Sequence, residues 1–158
     1  MADGQRLDPY RAYNFRVLVG SKVSAEIAFS KVTGLEAEVD QTEYREGTDT
    51  ATLRKLPGLV KYPNIVLERG ITDSPELVQW FQEIVKLTEE AALPRDDAFR
   101  TDMTIQLLNR NLEIVREWVA TAAWPCKMSV GDFDAGSSDV VIEQMEICHE
   151  GLSLVSFA

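Results

Sequence analysis

The chain has 158 residues, a hydrophobic fraction of 45%, a charged fraction of 27% and a formal net charge of −10. This length suits one domain with a substantial core, and the composition excludes an intrinsically disordered chain. So acidic a protein is poorly suited to gripping a phosphate backbone or an anionic membrane, which argues against nucleic-acid and membrane-surface binding.

Seven segments alternate apolar and polar residues with the period of two that is typical of β-strands. The clearest is LEAEVDQTEY, in which Leu35, Ala37 and Val39 share one face and acidic residues occupy the other. This pattern predicts a half-buried strand. In chain order the predicted strands cover 13–20, 22–34, 35–44, 64–70, 100–109, 111–120 and 139–151, with a hairpin turn at 109–111.

The segment 74–88 has helical rather than strand periodicity. Leu77, Trp80 and Ile84 recur at the spacing of one helix face, and Pro75 suits the first turn. A mainly β chain with one helix and short connections is typical of an antiparallel sandwich or small barrel, rather than of a parallel sheet.

The residues that usually carry catalysis are few and badly placed for it. His149 is the only histidine, and the adjacent Cys148 points to the opposite face of a strand, so the two cannot form a catalytic dyad. No nucleophile elbow, phosphate loop or dinucleotide-binding glycine motif occurs. We therefore predict that the protein is not an enzyme and uses no cofactor or metal. A disulfide between Cys126 and Cys148 is the less favoured state, since buried free thiols are common in reducing compartments.

Three carboxylates form a row on the predicted strand 35–44. Glu36, Glu38 and Asp40 lie on one face, about 7 Å from one to the next. Such a row could bind a cation or supply an acid–base pair. The simpler interpretation, which we favour, is a solvated strand face.

The segment 44–64 is rich in glycine, proline and basic residues. Its apolar residues, among them Leu56, Leu59 and Val60, could form two short strands around a turn at Pro57–Gly58. A two-stranded hairpin is marginally stable alone in water and gains stability when it lies on another surface. Its basic residues contrast with an acidic C-terminal region, which suits head-to-tail association of copies. The alternative is a hairpin that folds back on its own domain.

Several segments resemble a known family when they are taken together and in order. DPYRAYNFRV, VTGLEAEVDQTEYREG, RKLPGLVKYPNIVLERGIT, REWVATAAWPCK and VVIEQMEICHEGL resemble the tube proteins of contractile phage tails, above all the branch shared with extracellular contractile injection systems. The resemblance runs from about Asp8 to Leu152. Each short motif is weak by itself, whereas their order and spacing are specific.

The resemblance implies one tail tube domain over 1–158, with two packed antiparallel sheets forming a small barrel and one flanking helix. It also implies hexameric rings that stack into a hollow tube, in which neighbouring subunits cover the sheet edges. A hairpin arm at 47–62 is expected to reach an adjacent subunit, mostly in the next ring. The residues assigned to this ring-stacking arm are Arg45, Gly47, Arg54, Lys55, Leu56, Pro57, Gly58, Lys61 and Tyr62.

The function implied by the resemblance is structural: an inner tube that a contracting sheath drives through a target envelope. The implied partners are further copies of the chain, the contractile sheath protein, and baseplate and spike proteins. The implied cargo is an effector protein or phage DNA, carried without sequence-specific binding. Because the N-terminal residues contain no apolar segment of the secretory type, we expect synthesis in the bacterial cytoplasm without a membrane anchor.

The lumen of such a tube is expected to carry negative charge, which repels passing DNA or biases the loading of protein cargo. The candidates for the lumen wall are Glu36, Glu38 and Asp40, or else the polar face of the 100–118 hairpin. The main alternative from another class is a lipocalin-like ligand-binding barrel, which needs a large closed cavity and no projecting arm. An enzyme with a polar site at the barrel mouth is a second alternative.

Overall fold

The computed structural model describes residues 15–20, 26–27, 29–44, 47, 53–71, 75–90, 99–136, 138 and 140–157. Within these ranges the chain forms ten strands and one helix, all connected by short loops or by segments outside the described residues. The elements are β1 (Phe15–Val19), β2 (Glu26–Ile27), β3 (Lys31–Thr33), β4 (Glu38–Tyr44), β5 (Arg54–Lys61), β6 (Ile65–Gly70), α1 (Glu76–Glu89), β7 (Thr101–Leu108), β8 (Ile114–Val130), β9 (Ile142–Cys148) and β10 (Gly151–Phe157).

Eight strands form one antiparallel sheet in the order β2-β1-β7-β8-β9-β6-β3, and β10 also pairs with β8. The long strand β8 joins the two halves of this sheet. Its first part pairs with β7 on one edge and β10 on the other, and its last part pairs with β9. The pairing continues from Cys148 opposite Trp124 to Gly151 opposite Thr121, so β9 and β10 follow one another along a single edge of β8.

One face of the eight-stranded sheet carries the hydrophobic core. On β6 the alternate residues Ile65 and Leu67 are fully buried, as the period of two requires. The core draws on five strands and the helix. Its residues are Val17, Val19, Ile65, Leu67, Leu77, Trp80, Met103, Ile105, Ala120, Ala123, Met145 and Ile147.

The helix α1 covers part of this core with the residues that the sequence pattern selects. Leu77, Trp80 and Ile84 are its buried side chains, and the indole Nε1–H of Trp80 donates to the carbonyl of Phe99 at 3.4 Å. Pro75 lies just before the first helical residue, and its carbonyl accepts a hydrogen bond from the backbone N–H of Gln79. The prediction of one amphipathic helix is confirmed, with bounds shifted by one or two residues.

The predicted closed barrel is wrong, whereas the two predicted antiparallel sheets are present. The fold is mainly β with one helix and two antiparallel sheets, but the second sheet contains only β4 and β5. Across the described residues the larger sheet stays open, because its end strands β2 and β3 pair only with β1 and β6. The predicted strand 22–34 is also divided, since β2 and β3 join opposite ends of that sheet. Val23 and Ala25 lie outside the described residues.

Two other strands differ from prediction at their C-terminal ends. The predicted strand 111–120 extends to Val130, and residues 151–157 continue the last predicted strand as β10. Among the helices formed by the described residues, none has the length and apolar character needed to cross a membrane.

Candidate functional site

The two-stranded sheet of β4 and β5, named here the β4–β5 ribbon, holds most of the residues predicted to act in assembly. Its strands are antiparallel, with Glu38 opposite Lys61 at one end and Tyr44 opposite Arg54 at the other. Every residue of β5 is exposed, and on β4 only Asp40 is partly buried. Of the predicted arm residues, Arg45 lies outside the described residues and Gly47 is exposed in a turn.

The predicted turn at Pro57–Gly58 is wrong, because both residues lie inside β5. Pro57 is opposite Gln41, and a register shift between Val39 and Gln41 leaves one additional residue on β5 beside Asp40. A proline is tolerated on an edge strand since it removes only a donor that faces solvent. A Cβ atom at Gly58 would lie 3.1 Å from the carbonyl oxygen of Asp40, so glycine permits close approach of the two backbones.

The β4–β5 ribbon exposes an apolar surface that is large for so small an element. The exposed fraction is 76% for Leu59, 48% for Leu56 and 50% for Val60, and that of Val39 on the partner strand is 45%. The predicted half-burial of Val39 and Ala37 is therefore wrong for the single chain. Exposed apolar side chains of this kind mark an interaction site, and a two-stranded ribbon needs such a contact for stability.

Charges of both signs lie across the β4–β5 ribbon from each other. Lys61 Nζ is 2.9 Å from Asp40 Oδ2, and this hydrogen bond, followed by the charge of Asp40, raises the pKa of Lys61. Glu43 lies opposite Lys55 in the strand pairing. Three of the predicted arm bases and two of the predicted lumen acids therefore belong to the same ribbon. Lys61 forms an ion pair with one of these acids, Asp40, and lies opposite the other, Glu38, in the strand pairing.

The third acid of the predicted lumen row, Glu36, lies just before β4. Its side chain is exposed, and its backbone N–H donates to the carbonyl of Gly34 at 2.8 Å. Gly34 has a φ of +89° and lies against the carbonyl of Asn64. This close approach fixes the point at which the chain leaves the eight-stranded sheet to enter the ribbon.

Tyr62 lies at the base of the β4–β5 ribbon rather than on its exposed surface. Its ring centroid is 5.6 Å from that of His149, and His149 Nε2 is 3.1 Å from the carbonyl oxygen of Pro63. His149 Nδ1 is also 3.1 Å from the carbonyl oxygen of Gly151. His149 thus connects the end of the ribbon to the β9–β10 junction, a contact that has no signal in the local sequence pattern.

The described residues contain no cluster of three or more histidine, cysteine or acidic side chains that could hold a metal ion. A cleft of about 400 Å³ between strands is lined by Phe15, Val32, Leu35 and Trp118 among others, and the core residues fill the space beneath the sheet. The lipocalin-like alternative is therefore unsupported, because that fold needs its interior empty for a ligand.

The comparison with protein families decides which kind of protein this is. The sequence profile of the family described as "T4-like virus tail tube protein gp19" matches residues 11–153. The chain belongs to this tail tube family. The resemblance found in the sequence is confirmed, and a match over these residues covers all of the described strands except the end of β10.

Solved structures agree with the family match. The tail tube chain is 25% identical to a chain in the cryo-EM structure of the anti-feeding prophage (AFP) baseplate, with a TM-score of 0.78 over 94% of this chain and 96% of that one. It is 27% identical to a chain of the extracellular contractile injection system PVC sheath-tube complex in the extended state, with a TM-score of 0.74 over 94% and 92%. No curated protein matches the chain.

Hcp1 from Flavobacterium johnsoniae shares the fold alone, at 17% identity and a TM-score of 0.51 over 90% of this chain and 94% of that one. The family and the more similar neighbours are structural tube proteins rather than enzymes, which confirms the predicted absence of a catalytic role. The protein is a tail tube-like structural protein of the kind found in contractile injection systems.

Proposed function

We propose that the chain, as one tube domain over 1–158, forms hexameric rings that stack into the inner tube of a contractile injection system. The tube is the hollow conduit that a contracting sheath drives through a target envelope. Its partners are other copies of the chain, the sheath protein and the baseplate and spike proteins, and assembly follows synthesis in the bacterial cytoplasm. The observation that carries the proposal is the exposed apolar surface of the β4–β5 ribbon in a chain of the tail tube family.

Structural neighbours support an injection system over a phage tail. The chains at 25% and 27% identity come from the AFP baseplate and from an extracellular contractile injection system. The cargo is accordingly an effector protein, with DNA as the alternative that a phage would carry. Sheath genes beside an ATPase gene and without capsid genes would support this assignment, and capsid genes would contradict it.

The proposed role of the β4–β5 ribbon is to contact an adjacent subunit, mainly in the next ring. Leu56 and Leu59 supply apolar area to this contact, and Arg54 and Lys55 supply positive charge for the acidic surface of the neighbouring copy. Tyr62 supports the ribbon from its base through His149. In this proposal the ribbon is attached at its base, and its exposed apolar residues are covered by another subunit.

The direct test is negative-stain electron microscopy of the purified chain over a concentration series, with and without sheath and baseplate proteins. We expect sixfold rings or striated hollow rods. The double substitution Leu56→Ser, Leu59→Ser should leave single rings and abolish stacks. Leu112→Ser is the matched control, because Leu112 is 69% exposed in the turn after β7 and lies outside the proposed arm. A chain that stays monomeric with all partners present would contradict the proposal.

The proposed lumen wall contains Glu36, Glu38 and Asp40, with the polar face of the 100–118 hairpin as the other candidate. Because Lys61 holds Asp40, the exposed acids Glu36 and Glu38 are the main source of negative charge in this row. On the other candidate face, Gln106 donates to Glu117 Oε2 at 2.6 Å and accepts from Arg16 Nε. The charged side chains of Arg16 and Glu117 are thus connected through Gln106 within the chain. This pairing makes the row near the ribbon the stronger candidate.

Charge reversal tests the lumen wall. Exchange of Glu36, Glu38 and Asp40 for lysine should change the amount and kind of protein that copurifies inside assembled tubes. Exchange of Glu89 and Glu90 for lysine at the exposed end of α1 is the control, and should leave the cargo unchanged. If only substitution of Glu117 changes the cargo, the lumen lies on the 100–118 face instead.

A further inference from the structure

The strand β6 connects two ends of the eight-stranded sheet that have different surroundings. At one end, the β4–β5 ribbon returns to the sheet at Ile65, where β6 begins. Among the described strands and the helix, β4 and β5 approach only each other closely, so the ribbon projects from the sheet. At the other end, β6 reaches Gly70 opposite Ile142, and β8 ends at Val130. A strand rises about 3.3 Å per residue, so these two ends are roughly 17 Å apart.

A groove of about 500 Å³ lies at this second end, between α1 and the last residues of β8. It is named here the α1–β8 groove, and its apolar lining consists of Val78, Phe81, Val85, Met128 and Val130. The three helix residues recur at helical spacing beside the face of α1 that meets the core. Val85 is 38% exposed and Val130 is 48% exposed. The helix therefore has a second apolar face that is partly open to solvent in the single chain.

The apolar surface continues from the α1–β8 groove onto the start of β9. The backbone N–H of Gly131 donates to the carbonyl of Ile142 at 2.8 Å, which places Ile142 beside the end of β8. The side chain of Ile142 is 45% exposed. Exposed apolar residues on adjoining elements mark a surface that another protein covers.

The free end of the β4–β5 ribbon has side chains that suit such a surface. In the strand pairing, Leu56 lies opposite Thr42, and Arg54 lies opposite the neutral Tyr44. Because alternate residues of a strand share a face, Arg54, Leu56 and Tyr44 lie on the same face of the ribbon. Leu56 and Tyr44 are both about half exposed. The ribbon thus presents apolar side chains together with a positive charge.

The charge beside the α1–β8 groove is opposite in sign to that of the ribbon face. Asp132 and Asp134 follow β8 on the next loop, and both are exposed. Within the groove lining, Lys86 and Glu89 are three positions apart on α1, and their charges offset each other. The two loop acids therefore leave negative charge at the rim of the groove, which complements the basic residues of β5.

We propose that the α1–β8 groove is the surface that receives the β4–β5 ribbon of a copy in the next ring. This contact rests on the proposed function, because it needs stacked rings, and it names the partner surface of the ribbon. The ribbon projects from one end of the sheet and the groove lies at the other, so the ribbon reaches the groove of a copy displaced along the tube. Such a contact joins two different surfaces, and it therefore repeats from ring to ring without closing.

The test measures the protein concentration at which rings stack, by sedimentation and negative-stain electron microscopy. The groove variant Val85→Ser, Val130→Ser changes two exposed side chains, so its urea midpoint should stay close to that of the wild type. We expect the stacking concentration to rise at least about tenfold, because the substitutions remove apolar area from the contact. Leu112→Ser, at an exposed apolar position away from the groove, is the control and should stack like the wild type.

A mixture of two kinds of preassembled rings tests the direction of the contact. Rings of the groove variant keep an intact ribbon, and rings of the ribbon variant Leu56→Ser, Leu59→Ser keep an intact groove. One interface can therefore form between the two kinds of ring, and no further ring can add to either side. We expect pairs of rings and no rods in the mixture, and single rings in each separate sample.

Photocrosslinking identifies the receiving surface without any substitution in the groove. With p-benzoylphenylalanine in place of Leu59, stacked rings should give crosslinks to peptides that contain α1 or the end of β8, as identified by mass spectrometry. Crosslinks to other surfaces would overturn the inference. A folded groove variant that stacks like the wild type would also overturn it, as would one that cannot form rings, since the groove would then act within a ring. Failure of the proposed function is distinguishable, because the wild type itself would then form neither rings nor stacks with its partners present.

Discussion

The strands β6 and β5 have similar numbers of apolar residues and opposite surroundings. On β6, Ile65 and Leu67 are completely buried in the core, whereas Leu59 on β5 is 76% exposed. The two strands are separated by only three residues, Tyr62 to Asn64. Local sequence therefore decides that both segments are extended, but it does not decide what covers them. The eight-stranded sheet is stabilised by its own core, whereas the apolar residues of the β4–β5 ribbon are exposed in the single chain.

Breaking an ion pair is expected to give the largest difference in stability between the eight-stranded sheet and the β4–β5 ribbon. Arg69 Nε is 3.0 Å from Glu143 Oε2 between β6 and β9, and both side chains are buried. Arg69→Met would leave the Glu143 carboxylate buried without its cation, at a cost of about 3–5 kcal/mol in the free energy of unfolding. Urea unfolding of the monomeric chain measures this loss.

Two further variants serve as controls for the ion pairs. The double variant Arg69→Met, Glu143→Leu removes both charges and should recover most of the lost stability. Lys61→Met breaks the exposed pair with Asp40 and should leave the urea midpoint unchanged. If Arg69→Met lowered stability as little as Lys61→Met, water would have to reach the buried ion pair. The expected difference between the sheet and the β4–β5 ribbon would then not hold for charged residues.

Leucine truncation is expected to give the next largest difference. Leu67→Ala removes a side chain with no exposed surface and should cost about 2–5 kcal/mol through lost burial and a cavity. Leu59→Ala should change the stability of the single chain by less than about 0.5 kcal/mol, since its side chain is already in water. The same unfolding experiment compares them.

The contrast between the leucines should reverse in the assembled tube. Leu59→Ala should weaken ring stacking, which sedimentation of assembled material would show, and Leu67→Ala should weaken folding instead. Equal effects of the two substitutions on the single chain would mean that the β4–β5 ribbon packs on its own domain in solution.

Alanine substitution of two glycines, one at each end of the β4–β5 ribbon, should give a smaller difference in stability. Gly34 has a φ of +89°, and a Cβ there would clash with the carbonyl oxygen of Asn64. Gly34→Ala should therefore cost at least about 1–2 kcal/mol. A Cβ added at Gly47 would meet no atom within 4 Å, so Gly47→Ala should be neutral or slightly stabilising. Thermal unfolding of both variants tests whether the ribbon is held at its base alone.

The parts of the fold that the sequence predicts well are those buried against their own chain. Leu77, Trp80 and Ile84 predict α1 because one face of that helix meets the core. The alternation in 64–70 predicts β6 for the same reason. Segments whose environment lies elsewhere are less predictable. The alternation of Val39 with polar neighbours correctly indicates a strand, but its side chain, predicted to be half-buried, is 45% exposed.

Other differences come from turn chemistry and strand register. Pro57–Gly58 has the composition of a turn, yet an edge strand with a bulge accommodates both residues. The interruption at His149–Glu150 hides the continuation of β9 into β10. The bulge in β8 between Pro125 and Lys127 changes its register with β9, and a shift of one residue turns a side chain to the other face. Such pairings are set by the whole sheet and have no local signature.

The titration of Lys61 is expected to have the smallest effect on stability, and it reports on the β4–β5 ribbon separately from the core. Its pKa is raised by the hydrogen bond to Asp40, so the folded chain binds this proton more tightly than the unfolded chain does. The contribution is therefore fully present at neutral pH and is lost as the pH rises through the raised pKa, above about 10.4. The carboxyl ¹³C resonance of Asp40 should move in this alkaline range in the wild type and remain still in Lys61→Met. Because the Lys61 side chain is exposed, the core amide resonances should not follow that transition. A core that titrated together with Asp40 would show that the ribbon and the sheet are energetically one unit, and the exposed apolar residues would then need a partner within the chain.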